Sequence, residues 1–92
     1  NYEQAERYYF MAQQQTEPYT DKRRLFMAGV DTLMAGGLYA RAMSAANTHL
    51  GALAQDRVTL RYLARVALAA GYPNEANAYA KALIFQPQGA QP

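Results

Sequence analysis

Apolar residues recur at three- and four-residue intervals through most of the chain, and the points where that rhythm breaks divide it into five helical segments. Tyr2, Ala5, Tyr9 and Ala12 fall on one face of a helix predicted over residues 1–15. The stretch Thr16 to Thr20 (TEPYT) carries Pro18, which stops a helix, and then Thr20 and Asp21, either of which can cap the next one. From Asp21 to Ala35, Phe26, Val30 and Leu33 share one side, and Gly36 and Gly37 end the segment in the left-handed conformation that glycine adopts at little cost. A helix from Leu38 to about Leu50 presents Ala42, Ala45 and Ala46 for close approach, with Gly51 as its stop. Asp56 can cap a helix through Ala70, Gly71 makes the next turn, and Pro73 suits the first turn of a last helix reaching about Phe85. Gln86 to Pro92 (QPQGAQP) lacks periodicity and reads as a linker or disordered end.

The pattern repeats. Leu60 to Ala80, shifted back by 34 residues, lands on Phe26 to Ala46, with Arg23/Arg57, Ala35/Ala69, Gly37/Gly71, Ala42/Ala76 and Ala46/Ala80 identical. Four of these five pairs sit where the turn bends or where helices would touch. A 34-residue period with two helices per unit is the length of the tetratricopeptide repeat, whose units bury their apolar faces by stacking on neighbours. The run NYEQAERYYFMA resembles the second helix of such a unit: an aromatic, an alanine three on, an aromatic four further, and another alanine. The first-helix slots for a large residue, a leucine-glycine pair and an aromatic hold Phe26, Gly29-Val30 and Leu33, then Leu60, Leu63-Ala64 and Ala67. The second-helix aromatic is present as Tyr9 but is replaced by Ala46 and Ala80, and the last alanine slot holds Ala12, His49 and Leu83.

This resemblance implies an all-α fold, a right-handed superhelical stack of antiparallel helix pairs with five helices and about two and a half repeats. It spans residues 1–87 as a half-repeat (1–15) and two repeats (21–54 and 55–87), followed by a disordered tail, 88–92. The spacing from Ala5 to Ala42 is 37, so the first connection is longer than standard.

Composition narrows the function classes. Ninety-two residues allow one domain with a modest core, and alanine supplies much of the apolar half. Nine basic and seven acidic side chains leave a net charge of +2, too scattered for a nucleic-acid surface. With no cysteine there are no disulfides or thiolate metal sites, and Asp31, Arg61 and Arg65 interrupt the apolar runs, so no membrane span is expected. No signal peptide is visible, and Asn1 already stands in helical register, which predicts a piece of a longer chain.

Arg57, Arg61 and Arg65 are four apart and Leu68 continues their line, making a stripe on an otherwise apolar helix. One unit earlier the corresponding stripe is Arg23, Met27, Asp31 and Met34. In tetratricopeptide proteins the first helix of each unit lines the concave groove, so the resemblance makes these eight residues a partner-binding groove. Guanidinium groups would meet carboxylates of an acidic protein segment, and the methionines would give adaptable apolar contact. The alternative is that Asp31 pairs with Arg61 or Arg65 and the rest is a solvated face. The lysine-asparagine clamp that some members use for a terminal carboxylate is not found here.

No catalytic, metal-binding or cofactor-binding set is expected. His49, the one histidine, reads as a helix-end side chain facing the last carbonyls, and Glu3 and Glu6 as a solvated pair. Ser44 lies among alanines without a base, and the paired glycines follow a helix where a phosphate loop would follow a strand. Tyr2 and Tyr9 suit packing between helices, leaving Tyr19 and Tyr72 as the tyrosines expected at the surface. The first helix lacks its partner, and Leu83, Ile84 and Phe85 lack a polar cap, which predicts further repeats or self-association.

The function expected is that of a non-catalytic protein-interaction scaffold. The alanine-rich stretch LARVALAAGYPNEANAYAKAL is similar in texture to the periplasmic repeat regions of bacterial exopolysaccharide exporters of the Pel, poly-N-acetylglucosamine and cellulose kind. That likeness implies a Gram-negative periplasmic scaffold that recruits a polysaccharide-modifying enzyme as its protein partner and feeds an outer-membrane β-barrel. The alternatives are the helical accessory region of a peptidoglycan-acting enzyme and a cytoplasmic adaptor.

Overall fold

A computed structural model describes residues 1–15 and 19–85. Among them are five α-helices and one 3-10 turn, and no strand, so the chain is all-helical. Two compact units divide it, Asn1–Leu50 and Gly51–Pro92. The expected stop at Pro18 and the tail after Phe85 lie outside the described residues.

The first unit holds α1 (Tyr2–Gln15), α2 (Tyr19–Ala35) and α3 (Tyr39–His49). Asn1 starts α1, its Oδ1 accepting from the amides of Glu3 (2.9 Å) and Gln4 (3.2 Å), which satisfies two of the donors a helix start leaves open. Helix α2 begins at Tyr19, ahead of the expected Thr20 or Asp21 cap. Asp21 instead sits in the first turn, where a carboxylate favours the helix dipole, and pairs with Arg24 at 3.5 Å.

Helices α1 and α2 meet through rings laid on glycines. A Cβ on Gly29 would stand 2.8 Å from Phe10 Cζ, and one on Gly36 would stand 2.8 Å from the Tyr2 ring. The earlier ring meets the later glycine, so the two helices run antiparallel. Phe10 also meets Phe26 edge to face, with centroids 6.0 Å apart. This rotates α1 away from the expected Tyr2, Ala5, Tyr9 and Ala12 face: among its described side chains Phe10 and Gln13 are buried, while Ala5, Tyr9 and Ala12 are half-buried. Two bare glycine surfaces, Gly29 within α2 and Gly36 just after it, admit rings that alanine spacing on α1 alone does not register. Phe26, Val30 and Leu33 of α2 and Ala42, Ala45 and Ala46 of α3 are buried as their spacing predicts.

The turn from α2 to α3 is closed by two hydrogen bonds, Gly37 N–H to the Met34 carbonyl (3.0 Å) and Leu38 N–H to the Leu33 carbonyl (2.9 Å). Gly37 takes φ 74°, whereas Gly36, expected to be left-handed too, does not and serves the Tyr2 contact.

The second unit holds a 3-10 turn (Gly51–Gln55) that the sequence pattern did not predict, then α4 (Arg57–Ala69) and α5 (Pro73–Ile84). Asp56 caps α4 as expected: its Oδ2 accepts from the Thr59 amide (3.2 Å) and hydroxyl (2.6 Å), and both residues are buried. The α4–α5 turn repeats the first bond for bond. Gly71 donates to the Leu68 carbonyl (3.1 Å) and Tyr72 to the Ala67 carbonyl (2.8 Å), with Gly71 at φ 85°. Pro73 occupies the first turn of α5, where its missing N–H leaves nothing unsatisfied.

Candidate interaction surfaces

Helix α4 sorts its residues by period. Leu60, Leu63 and Ala67 are buried, whereas Val58, Arg61, Arg65 and Leu68 are exposed. The arginine stripe is not uniform. Arg57 is half-buried and its Nη1 donates to the Leu83 carbonyl at 2.9 Å, tying the start of α4 to the last turn of α5, where a cation also suits the helix dipole. Arg61 and Arg65 point outward and form no hydrogen bond or ion pair among the described residues. Beside them lies a shallow apolar depression of about 290 Å³, floored by Ala64 and Leu68 of α4 and by Ala76 and Ala80 of α5, with Arg65 and Asn77 at its sides.

In the first unit, Arg23, Met27 and Met34 are half-buried and Asp31 is exposed, along one side of α2 next to its buried residues. The eight residues read from the sequence as one groove are thus four on α2 in one unit and four on α4 in the other.

Sequence reasoning missed a second cluster, which holds α1 to α3. Glu3 and Glu6, expected to be solvated, both bind Arg41: Glu3 Oε2 accepts from Nη1 at 2.7 Å and Glu6 Oε1 from Nε at 2.6 Å. The bond to Glu6, chiefly, raises the Arg41 pKa above its ordinary value. His49 does not turn to the end of its helix; its ring stacks on Phe10, with centroids 4.2 Å apart and planes 9° from parallel. Its carbonyl accepts from Gln13 Nε2 at 2.8 Å, while the buried Gln13 Oε1 finds no hydrogen-bond partner among the described residues. The available signal was the i, i+3 spacing of Glu3 and Glu6 and the single arginine of α3, but nothing in the sequence alone joins them. A depression of about 300 Å³ lies over this cluster; Glu6 and Arg41, which pair with each other, line it together with the exposed Arg7.

The tyrosines also differ from expectation. Tyr2, Tyr8 and Tyr39 are the exposed ones, Tyr72 is half-buried in the α4–α5 turn, and the Tyr19 side chain lies outside the described residues. Ile84 and Phe85 are largely exposed. No helix among the described residues is long and apolar enough to cross a membrane. Comparison with protein-family models, with curated proteins and with solved structures finds no match to this chain.

Proposed function

We propose that this chain is a stretch of a non-catalytic protein-interaction scaffold built from tetratricopeptide-type helix pairs. Its partner is an acidic segment of another protein, met by the outward guanidinium groups of Arg61 and Arg65. The observation that carries this reading is the combination found on α4. Its buried side belongs to a helix pair closed by the same turn as the pair 34 residues earlier, while its outer side offers two exposed arginines and an exposed leucine. Exposed arginines beside apolar surface suit recognition of carboxylates through charge-assisted bonds. For the partner we assign a polysaccharide-modifying enzyme of a Gram-negative exopolysaccharide export route, with the scaffold in the periplasm. The support for that choice is the alanine-rich texture of residues 63–83.

The test is a pull-down from an envelope extract of the native organism with the chain and with its Arg61→Glu/Arg65→Glu variant. We expect the unaltered chain to retain a polysaccharide-modifying enzyme and the double variant to lose it with helicity unchanged. Equal capture by both would remove the arginines from the site, and capture of cytoplasmic proteins alone would favour an adaptor.

A further inference from the structure

We propose that the depression between α1 and α3 in the first unit binds a small monocarboxylate, its anionic end held by Arg7 and Arg41 and its apolar body laid against Phe10 and Met11. This site is separate from the arginine pair of α4 and goes beyond the scaffold reading. The depression holds about 300 Å³ and is lined by Glu6, Arg7, Phe10 and Met11 of α1 and by Arg41 and His49 of α3. Both walls are helices of this unit. Ala5, Tyr9 and Ala12, the face of α1 that the repeat reading gives to a preceding helix, lie across that helix from Arg7.

Unused donors select an anion. Arg7 is exposed and forms no hydrogen bond or ion pair among the described residues. Arg41 gives Nε to Glu6 and Nη1 to Glu3, which leaves its Nη2 hydrogens without a partner among those residues. The His49 ring stacks on Phe10, and neither of its nitrogens is hydrogen-bonded among them. Three basic side chains from two helices thus bring spare donors to one depression, and a carboxylate is the acceptor that guanidinium groups hold best.

Charge and size narrow the anion. Two guanidinium groups and one carboxylate line the depression, an excess of one positive charge. Glu3 reaches Arg41 from outside the lining, with its side chain 54% exposed, where water weakens its field. A single negative charge balances the excess, whereas a dianion overshoots it and meets Glu6. A volume of about 300 Å³ stands at the low end for a ligand pocket, room for one ring or a short alkyl chain. Glu6 meets Arg41 at one end, and Phe10 meets His49 at the other, about 12 Å further along α3. A carboxylate bound at the first end therefore lays its apolar body toward the second, over Phe10 and beside Met11, which is 60% exposed and adaptable in shape.

The probe is phenylpropionate, titrated into the isotope-labelled full chain and followed by its amide chemical shifts. The uncharged phenylpropionamide is titrated alongside, as is phenyl phosphate, largely a dianion at about pH 7.5. Arg7→Gln tests the site, and Arg65→Gln in the second unit is the control; both residues are exposed and unpaired among the described residues, so neither change endangers the fold. We expect saturable shifts in α1 and α3 that are unchanged in Arg65→Gln, with affinity about fivefold weaker for the amide and for Arg7→Gln. Phenyl phosphate should bind no more tightly than phenylpropionate. No saturable shift, or equal affinity for the amide, overturns the proposal. So does binding indifferent to Arg7→Gln or equally weakened by Arg65→Gln. Tighter binding of phenyl phosphate overturns the assignment of a monoanion.

Discussion

Gly37 and Gly71 stand 34 residues apart and make the same hydrogen bond, each donating its amide to the carbonyl three residues back, at 3.0 and 3.1 Å, with φ 74° and 85°. Neither has a neighbour within 4 Å of where a Cβ would be, so a side chain there meets only its own backbone. An L-residue in the left-handed region costs about 1–2 kcal/mol. Gly37→Ala and Gly71→Ala should each lower stability by about that amount, with similar values because the two turns are alike. Urea unfolding followed by far-UV circular dichroism measures this, and a variant with unchanged stability would show that its turn relaxes to another form.

Gly29 and Gly36 look alike on paper, each with an aromatic ring 2.8 Å from a would-be Cβ, but the rings differ in freedom. Phe10 is 2% exposed and held between Phe26 and His49, whereas Tyr2 is 48% exposed. Forcing a methyl group against a fixed ring costs about 1–3 kcal/mol, more than the roughly 0.5–1 kcal/mol that alanine gains over glycine within a helix. Gly29→Ala should therefore destabilise the chain, while Gly36→Ala should come out near neutral as Tyr2 swings aside. Equal losses on chemical denaturation would mean that Tyr2 is as firmly held as Phe10.

These two glycines also mark where the sequence stopped being legible. Gly37 was readable because Gly71 repeats it and because a turn between helices needs a residue of positive φ. Gly36 reads as part of the same device, yet its counterpart Ala70 shows that the turn does not require glycine there; what its bare surface meets is Tyr2, on another helix. The same holds for Gly29, whose counterpart Leu63 is buried where no phenylalanine displaces it. Helix periods and the Asp56 cap are local and could be read directly. The pairing of Arg41 with Glu3 and Glu6, the stacking of His49 on Phe10 and the bond from Arg57 to Leu83 join residues 26 or more positions apart. A period shows that such helices meet but not at what rotation.

The Asp56 cap is the strongest local determinant of α4. It is 2% exposed, and one of its oxygens accepts from both the amide and the hydroxyl of Thr59. Replacing an N-cap acceptor with alanine typically costs about 0.5–2 kcal/mol, and stranding a buried donor pushes the loss toward the upper end. Asp56→Ala should cost about 2 kcal/mol on that basis, and Asp56→Asn, which keeps an acceptor, should cost less. Hydrogen exchange at the Thr59 amide gives the local reading: faster exchange is expected in Asp56→Ala, and an unchanged rate would show that another group takes over the cap.

Alkaline titration should single out Tyr79. Burial within α5, assisted by the charge of Glu75 one turn earlier, raises its phenol pKa above the ordinary value of 10.0. A raised folded-state value means that above about pH 10 the unfolded chain gives up this proton before the folded chain does. The contribution to stability is therefore fully present below the unfolded value and is lost as pH rises through the folded one. Tyr79→Phe removes the titrating group, so its melting temperature should fall less steeply than that of the unaltered chain above pH 10, with the two profiles parallel below it. Glu75→Gln keeps the burial but removes the charge, and should move the Tyr79 profile only part of the way toward that of Tyr79→Phe. Profiles that stay parallel across the whole alkaline range would show that Tyr79 ionises as easily folded as unfolded, and that its ring is wetter than the packing of α5 implies.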